Sequence, residues 1–295
     1  MSGVRRPTWL PQLAVGLTLL ALGWGCSVEH VEPVSHYWFQ AVWGGWILTA
    51  DALVLRRAGR SVLRSAPQRA AWLFALSAGF WWLFEIVNWH LHNWVYVGTD
   101  VLGPVARVLL DTTAFATVLP ALVETRDLAR CLLRVPDPPP LVRRPGRAAH
   151  WMVAFALATG VALWLFPREA FALVWIAPFL LLDGIAFLRG RPSALGSLAA
   201  GKAGPVLLVA LSGLLTGVLW ELWNWGADPH WEYTVPHVDA WRVFEMPLLG
   251  YAGYLPFALA ADAVVRTVFG GRGGLVDGPV TDLGAARSTP APAAR

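Results

Sequence analysis

Eight long apolar runs, at 13–26, 37–55, 70–89, 105–123, 151–166, 171–188, 205–225 and 244–269, leave this chain few folds to choose from. Crossing about 30 Å of hydrocarbon takes roughly 20 predominantly apolar helical residues, and several of the runs approach that length. They do not alternate apolar with polar residues, as the strands of a membrane β-barrel do. Only 14% of the 295 residues are charged, against about a quarter in an ordinary soluble domain. The reading is an all-α, polytopic membrane helix bundle of about eight transmembrane helices. The first and fifth runs are short, which suits tilted or partly interfacial helices, and the first reads as a retained signal-anchor.

Arginine placement orients the bundle. Arg5 and Arg6 precede the first run. Arg56, Arg57, Arg60, Arg64 and Arg69 follow the second; Arg126, Arg130, Arg134, Arg143, Arg144 and Arg147 follow the fourth. Arg189, Arg191 and Lys202 follow the sixth, and Arg266 and Arg272 close the eighth. Alternate connections are therefore basic, which puts both termini in the cytoplasm by the positive-inside rule. The expected location is the cell membrane, multi-pass, of the bacterial inner-membrane kind. The net charge of +4 follows from this topology and implies no nucleic-acid partner. Cys26 and Cys131 fall on opposite sides, so no disulfide is expected.

The chain also resembles itself. Phe84-Glu-Ile-Val-Asn-Trp89 reads against Trp220-Glu-Leu-Trp-Asn-Trp225, and Trp94-Val-Tyr96 against Trp231-Glu-Tyr233. Trp43 and Asp51 read against Trp175 and Asp183, and Pro120 against Pro256. Four anchors in one order at nearly constant offset argue for a tandem duplication. Residues 1–134 form the first four-helix repeat and 148–270 the second. Residues 135–147 are a Pro/Arg-rich cytoplasmic linker, and 271–295 a disordered tail. An even number of helices per repeat makes the two parallel, related by an axis along the membrane normal, with a site between them.

The repeated motif carries the candidate chemistry. Glu85, Asn88 and Trp89, like Glu221, Asn224 and Trp225, stand at helical spacings i, i+3 and i+4 and so share a face. A carboxyl within hydrocarbon normally faces a bundle interior or cavity and has a partner; removed from water, it favours the neutral form that can give up a proton. The alternative reading is interhelical hydrogen bonding, with Glu and Asn joining the halves. Of the 18 tryptophans, many belong to an interfacial belt. Trp81, Trp82, Trp89, Trp220, Trp223 and Trp225, however, crowd around the two glutamates, and aromatic faces stabilise cations. The candidate catalytic residues are Glu85, Glu221, Glu245, Asn88 and Asn224. The candidate substrate contacts are Trp82, Trp89, Trp94, Tyr96, Trp220, Trp225, Trp231 and Tyr233.

Six histidines fall near the outer face, with Glu245 and Asp239 nearby, but none has a recognised ligand spacing. No metal and no cofactor is expected. No Walker loop, dinucleotide-binding fingerprint, nucleophile elbow or Cys-x-x-Cys is present. Asp51 and Asp183, each six residues before an arginine, read as polar contacts at helix ends.

Trp220-Glu221 followed by Trp231-Glu-Tyr233-Thr-Val-Pro236, and Phe84-Glu85 followed by Trp94-Val-Tyr96, resemble the short repeated unit of the membrane-embedded lycopene cyclases of the heterodimeric or fused type. The likeness covers some 25 residues of each half. Glu stands where that family has Asp, its Glu-Glu pair is missing, and Phe244-Glu245-Met-Pro occupies the corresponding place. The resemblance implies a non-redox cyclase acting on an isoprenoid or carotenoid chain, with Glu85 or Glu221 as the acid and Glu245 as a second carboxylate. The expected partners are the bilayer and a hydrophobic small molecule, with homo-oligomerisation left open. A small transporter or proton-coupled carrier, with its site between the repeats, is the alternative.

Overall fold

The computed structural model describes residues 8–99, 102–133, 135–136, 139–237 and 240–270. The expectations for Arg5, Arg6, Arg134, Asp239, Arg272 and the tail at 271–295 lie outside these residues.

Twelve helices are described: α1 Leu10–Val28, α2 Trp38–Ala58, α3 Val62–Ser65, α4 Pro67–Leu91, α5 Pro104–Phe115 and α6 Val118–Leu132, then α7 Pro145–Leu165, α8 Pro167–Ala170, α9 Ala177–Leu188, α10 Ala194–Ala199, α11 Ala203–Asn224 and α12 Tyr254–Phe269. Helices α4, α5, α7 and α8 open on proline, whose fixed φ suits the first turn and whose missing N–H is no loss there. Gly59 and Gly270, at φ 74° and 78°, end α2 and α12 in the left-handed conformation, the usual helix stop.

Six helical segments are long and apolar enough to cross a membrane: Leu10–Val28, Pro67–Leu91, Pro104–Leu132, Pro145–Leu165, Ala203–Asn224 and Leu248–Phe269. A seventh arises if Pro167–Trp175 and Ala177–Leu188, bent by 51° at their junction, form one broken span. The two runs that looked short are extended by flanking residues to full span length. The remaining expected span, the second in chain order, is α2, which has 21 residues but is not among the six. Gln40, Asp51 and several Trp and Gly residues dilute its hydropathy. Protein takes the place of lipid around it: α2 packs between α1 and α6, and Trp38, Val42, Trp43, Ile47 and Val54 are all buried. Around α4, α5 and α7 the pattern inverts. Trp72, Leu83, Ile86, Val105, Leu109, Trp151 and Trp164 are each more than half exposed, a display of large side chains that suits lipid and not water.

The structure is not wholly helical. Strand β1 (Trp94–Val97) pairs antiparallel with β2 (His230–Tyr233), and β3 (Arg242–Val243) with β4 (Met246–Pro247). In the first pair Trp94 faces Tyr233 and Tyr96 faces Trp231. Trp94 and Trp231 are buried and the tyrosines half-buried, while Val95 and Glu232 point out. This ribbon roofs one end of the bundle and ties the segment after α4 to the segment after α11.

At the other end two aspartates hold the short helices. Asp51 Oδ1 accepts the Leu63 N–H at 2.9 Å, and its Oδ2 accepts from Ser61 Oγ at 2.8 Å and Gln12 Nε2 at 2.6 Å. Asp183 accepts the N–H groups of Ala194 and Leu195 at 2.8 and 2.9 Å. Both thereby satisfy the orphan donors of a helix start, as contacts at helix ends. Asp183 also meets Arg266, which bridges to Asp262 and to the Pro192 carbonyl.

Candidate functional site

Glu85 and Glu221 each sit within the last two turns of a long helix beneath the ribbon, 5% and 0% exposed. Glu85 Oε1 accepts from Trp81 Nε1 at 2.9 Å, Trp94 Nε1 at 3.2 Å and the Tyr96 hydroxyl at 2.6 Å. Glu221 Oε1 accepts from the hydroxyls of Tyr233 and Tyr254, both at 2.6 Å. Trp231 Nε1 donates to the Tyr233 oxygen at 3.0 Å. Each carboxyl thus rests under a tyrosine of the ribbon, and each has a further aromatic donor from elsewhere.

The asparagines position those tyrosines. Asn88 Oδ1 accepts the N–H groups of Asn93 and Trp94 at 2.8 and 3.3 Å, and its Nδ2 donates to the Trp94 carbonyl at 3.0 Å. Asn224 Oδ1 accepts the Trp231 N–H at 2.9 Å, and its Nδ2 donates to the Trp231 carbonyl at 2.8 Å. A side-chain amide has the donor and acceptor needed to complete a strand's backbone hydrogen bonds, which carboxylates and hydroxyls lack in that spacing. Asn88→Ala and Asn224→Ala each strand buried backbone groups, at about 1–3 kcal/mol per site. Thermal unfolding in detergent should show both losses.

The tyrosines bonded to these carboxyls line a cavity of about 440 Å3 whose lining is mostly apolar and rich in aromatic side chains, within the range of small-molecule sites. Trp94, Tyr96, Trp220, Trp231 and Tyr233, all expected as contacts, line it. Its walls are cross-braced. Phe84 stacks on Trp175 at 5.4 Å, Trp220 meets Trp43 edge-on at 5.5 Å, and Trp81 lies 5.1 Å from Trp220.

Other expected residues lie apart from it. Trp89 and Trp225 are 65% and 55% exposed, so the three motif residues do not share one buried face. Viewed down the helix, positions i+3 and i+4 lie on opposite sides of i, about 100° apart. Burial of Glu85 and Asn88 therefore turns Trp89 outward. Trp225 falls beyond the last residue of α11, in extended backbone, where helical spacing no longer applies. Trp82 Nε1 donates to Thr112 Oγ1 at 3.1 Å, and its ring packs on Phe115. Glu245 is half-buried near Arg242, 3.8 Å away, and is not a lining residue.

Three participants were not singled out by the motif: Tyr254, Trp175 and Asn93. Tyr254 reaches Glu221 because Gly217 leaves room for its ring. A Cβ built on Gly217 would lie 2.3 Å from the ring's Cδ2, and one on Gly213 would meet Ala258 at 2.4 Å. Gly213, Gly217 and Glu221 are spaced by four along α11, a small-xxx-small stripe that lets helices approach closely. That stripe, ending on a glutamate, was the available signal.

Burial, and then the charge of the neighbouring glutamate, push the phenols of Tyr96 and Tyr233 well above their usual value near 10. A proton held more tightly in the folded state stabilises the protein below the unfolded phenol's pKa; this stability is lost as pH rises through the folded value. Spectrophotometric titration of the folded protein to about pH 11 should therefore yield less phenolate absorbance than the same chain denatured. Equal amplitudes would contradict the buried Tyr–Glu pairs.

Span-length apolar helices surrounding an aromatic cavity over two buried carboxyls make this a multi-pass membrane protein. Comparison of the chain with protein-family models, curated proteins and solved structures finds no match.

Proposed function

We propose that this chain is an integral membrane enzyme that takes a lipid-soluble isoprenoid-like molecule into the cavity and starts its reaction with a proton, as a non-redox cyclase. One observation carries the reading: Tyr96, Tyr233 and Tyr254 line the cavity, and the hydroxyl of each is bonded at 2.6 Å to a buried glutamate. Once such a carboxylate has taken up a proton, the phenol can give its own proton to one carbon of a substrate double bond and regain one from the carboxyl. A second double bond then attacks the cation, closing a ring, and loss of a neighbouring proton restores the acid. Substrate and product are isomers, so no oxidant or cofactor is needed. The surrounding indole faces favour the cationic intermediate.

The proposal includes a duplicated architecture with parallel halves, both termini in the cytoplasm and residence in a bacterial cell membrane. Three pairings support the duplication. Asn88 and Asn224 make the same bonds to the following strand. Asp51 and Asp183 accept the N–H of Leu63 and Leu195, both twelve residues on. The β1–β2 register reads the same when the strands are exchanged, Trp94 on Tyr233 and Trp231 on Tyr96. The alternation of basic connections supports the orientation.

The test is to incubate the purified protein in liposomes with polyprenyl and carotenoid lipid extracts and look for isomers of unchanged mass by chromatography and mass spectrometry. Turnover should fall by at least about a hundredfold, a typical contribution of general acid catalysis, in Glu85→Gln, Glu221→Gln or both. If both variants match the parent protein, the proton-donor assignment is overturned. Unaltered passage of a lipid into sealed vesicles would replace the enzyme with a carrier.

A further inference from the structure

Within the aromatic lining a few polar atoms stand out. Asn93 is 1% exposed, and neither its Oδ1 nor its Nδ2 has a hydrogen-bonding partner among the described residues. Its backbone is already committed: its N–H goes to Asn88 Oδ1, and its carbonyl accepts the Thr234 N–H at 2.9 Å. The side chain has no share in that bonding, yet it is held in the cavity wall. Thr99 Oγ1, 7% exposed, and Gln40 Oε1 are in the same condition, and both residues line the cavity. Buried polar groups are nearly always satisfied, and one left without a partner costs free energy. Several such groups around one cavity mark bonds left for an occupant to make.

We infer that the cavity's ligand carries a neutral hydrogen-bonding oxygen, a hydroxyl or carbonyl, and is not a pure hydrocarbon. The inference rests on the reading of the cavity as a lipid site and narrows its substrate class. Asn93 offers a donor and an acceptor, Thr99 can serve as either, and Gln40 offers an acceptor. None of the three carries charge. Of the chargeable groups on the lining, Asp111 faces Arg107 at 3.8 Å, His36 faces Glu32 at 2.6 Å and His230 faces Glu232 at 3.4 Å. His36 Nε2 and His230 Nδ1 join the polar atoms that lack a hydrogen-bonding partner among the described residues. An ionic headgroup would bring a charge into an aromatic cavity whose own charges are already matched. A hydroxyl or carbonyl on an isoprenoid body fits both the polar atoms and the aromatic walls. A hydrocarbon would bury Asn93 with its amide unsatisfied and is disfavoured for that reason.

Two probes test this: geranylgeraniol, and the C20 hydrocarbon of the same skeleton without the hydroxyl. Binding to the full chain in nanodiscs is read by quenching of tryptophan fluorescence. The parent protein should prefer the alcohol by at least about tenfold, one good hydrogen bond's worth. Asn93→Leu or Thr99→Val should erase much of that preference and leave hydrocarbon affinity unchanged. Thr99→Val keeps the side-chain shape and so guards against a folding defect. Equal affinity of the parent protein for both probes overturns the inference. So does a preference that survives both substitutions, which would assign the polar atoms to ordered water only. If neither probe binds, the lipid reading falls and the inference with it. Binding without isomerisation removes the enzyme assignment and leaves the ligand assignment intact.

Discussion

Arg266→Met is expected to destabilise the protein by about 3–5 kcal/mol, the usual consequence of removing one partner from a buried ion pair. Arg266 is 4% exposed; its Nε donates to Asp262 at 2.7 Å, its terminal nitrogens to Asp183 at 2.9 Å and the Pro192 carbonyl at 2.7 Å. Asp183 in turn holds the start of α10. Loss of the guanidinium leaves two buried carboxyls without their shared cation and frees the segment that joins α9 to α11. Thermal unfolding in detergent measures the loss. The double substitution Arg266→Met with Asp262→Leu should recover part of it, since it removes a charge as well as a partner. If the single variant unfolds with the parent's midpoint, the network does not hold this end of the bundle.

The second large effect runs against helix propensity. Gly217→Ala in a free helix would stabilise it by about 1 kcal/mol. Here the added methyl falls 2.3 Å from the Tyr254 ring and 2.4 Å from its Cγ, so the ring or the helix must move. Overpacking of this kind costs typically 1–3 kcal/mol, and displacement of the ring also removes the Tyr254 bond to Glu221. The expected result is a less stable protein with impaired turnover. Combining it with Tyr254→Leu should restore stability but not turnover, because the smaller side chain removes the clash and the hydroxyl together. A stabilised Gly217→Ala variant with full activity would show that Tyr254 is not held by this contact.

Much of the architecture was legible because hydropathy reports lipid contact directly, and six span-length helices fall within the runs or extend them. Helix α2 shows the limit of that signal. It is covered by protein along much of its length, and burial in protein imposes no demand for uniform hydropathy. The bend between the 167–175 segment and α9 was equally hidden, since apolar composition does not encode direction. At the site, the repeated Glu proved to be bonded to the ribbon tyrosines and the repeated Asn to the strand backbone beside them. Trp89 and Trp225 recur as faithfully and yet face outward, because repetition marks an equivalent environment and not an interior one. Tyr254 was signalled only by the glycine stripe that ends on Glu221, since its place depends on the packing of α12 on α11, and Asn93 was not readable, since its place depends on where a turn puts an amide.

The ribbon roof has a further consequence. Its side chains alternate in and out, Trp94 and Tyr96 toward the cavity, Val95 and Val97 away from it. A shift of one residue would exchange the two rows, placing Val95 and Val97 of β1, or His230 and Glu232 of β2, over the carboxyls and turning the tyrosines to the outside. Asn88 and Asn224, fastened to the backbone at Trp94 and Trp231, therefore set the parity of the roof. Chemistry at this site depends on a count of odd and even residues, which a single insertion between the clipped tryptophan and its tyrosine, Trp94 and Tyr96 or Trp231 and Tyr233, would reverse.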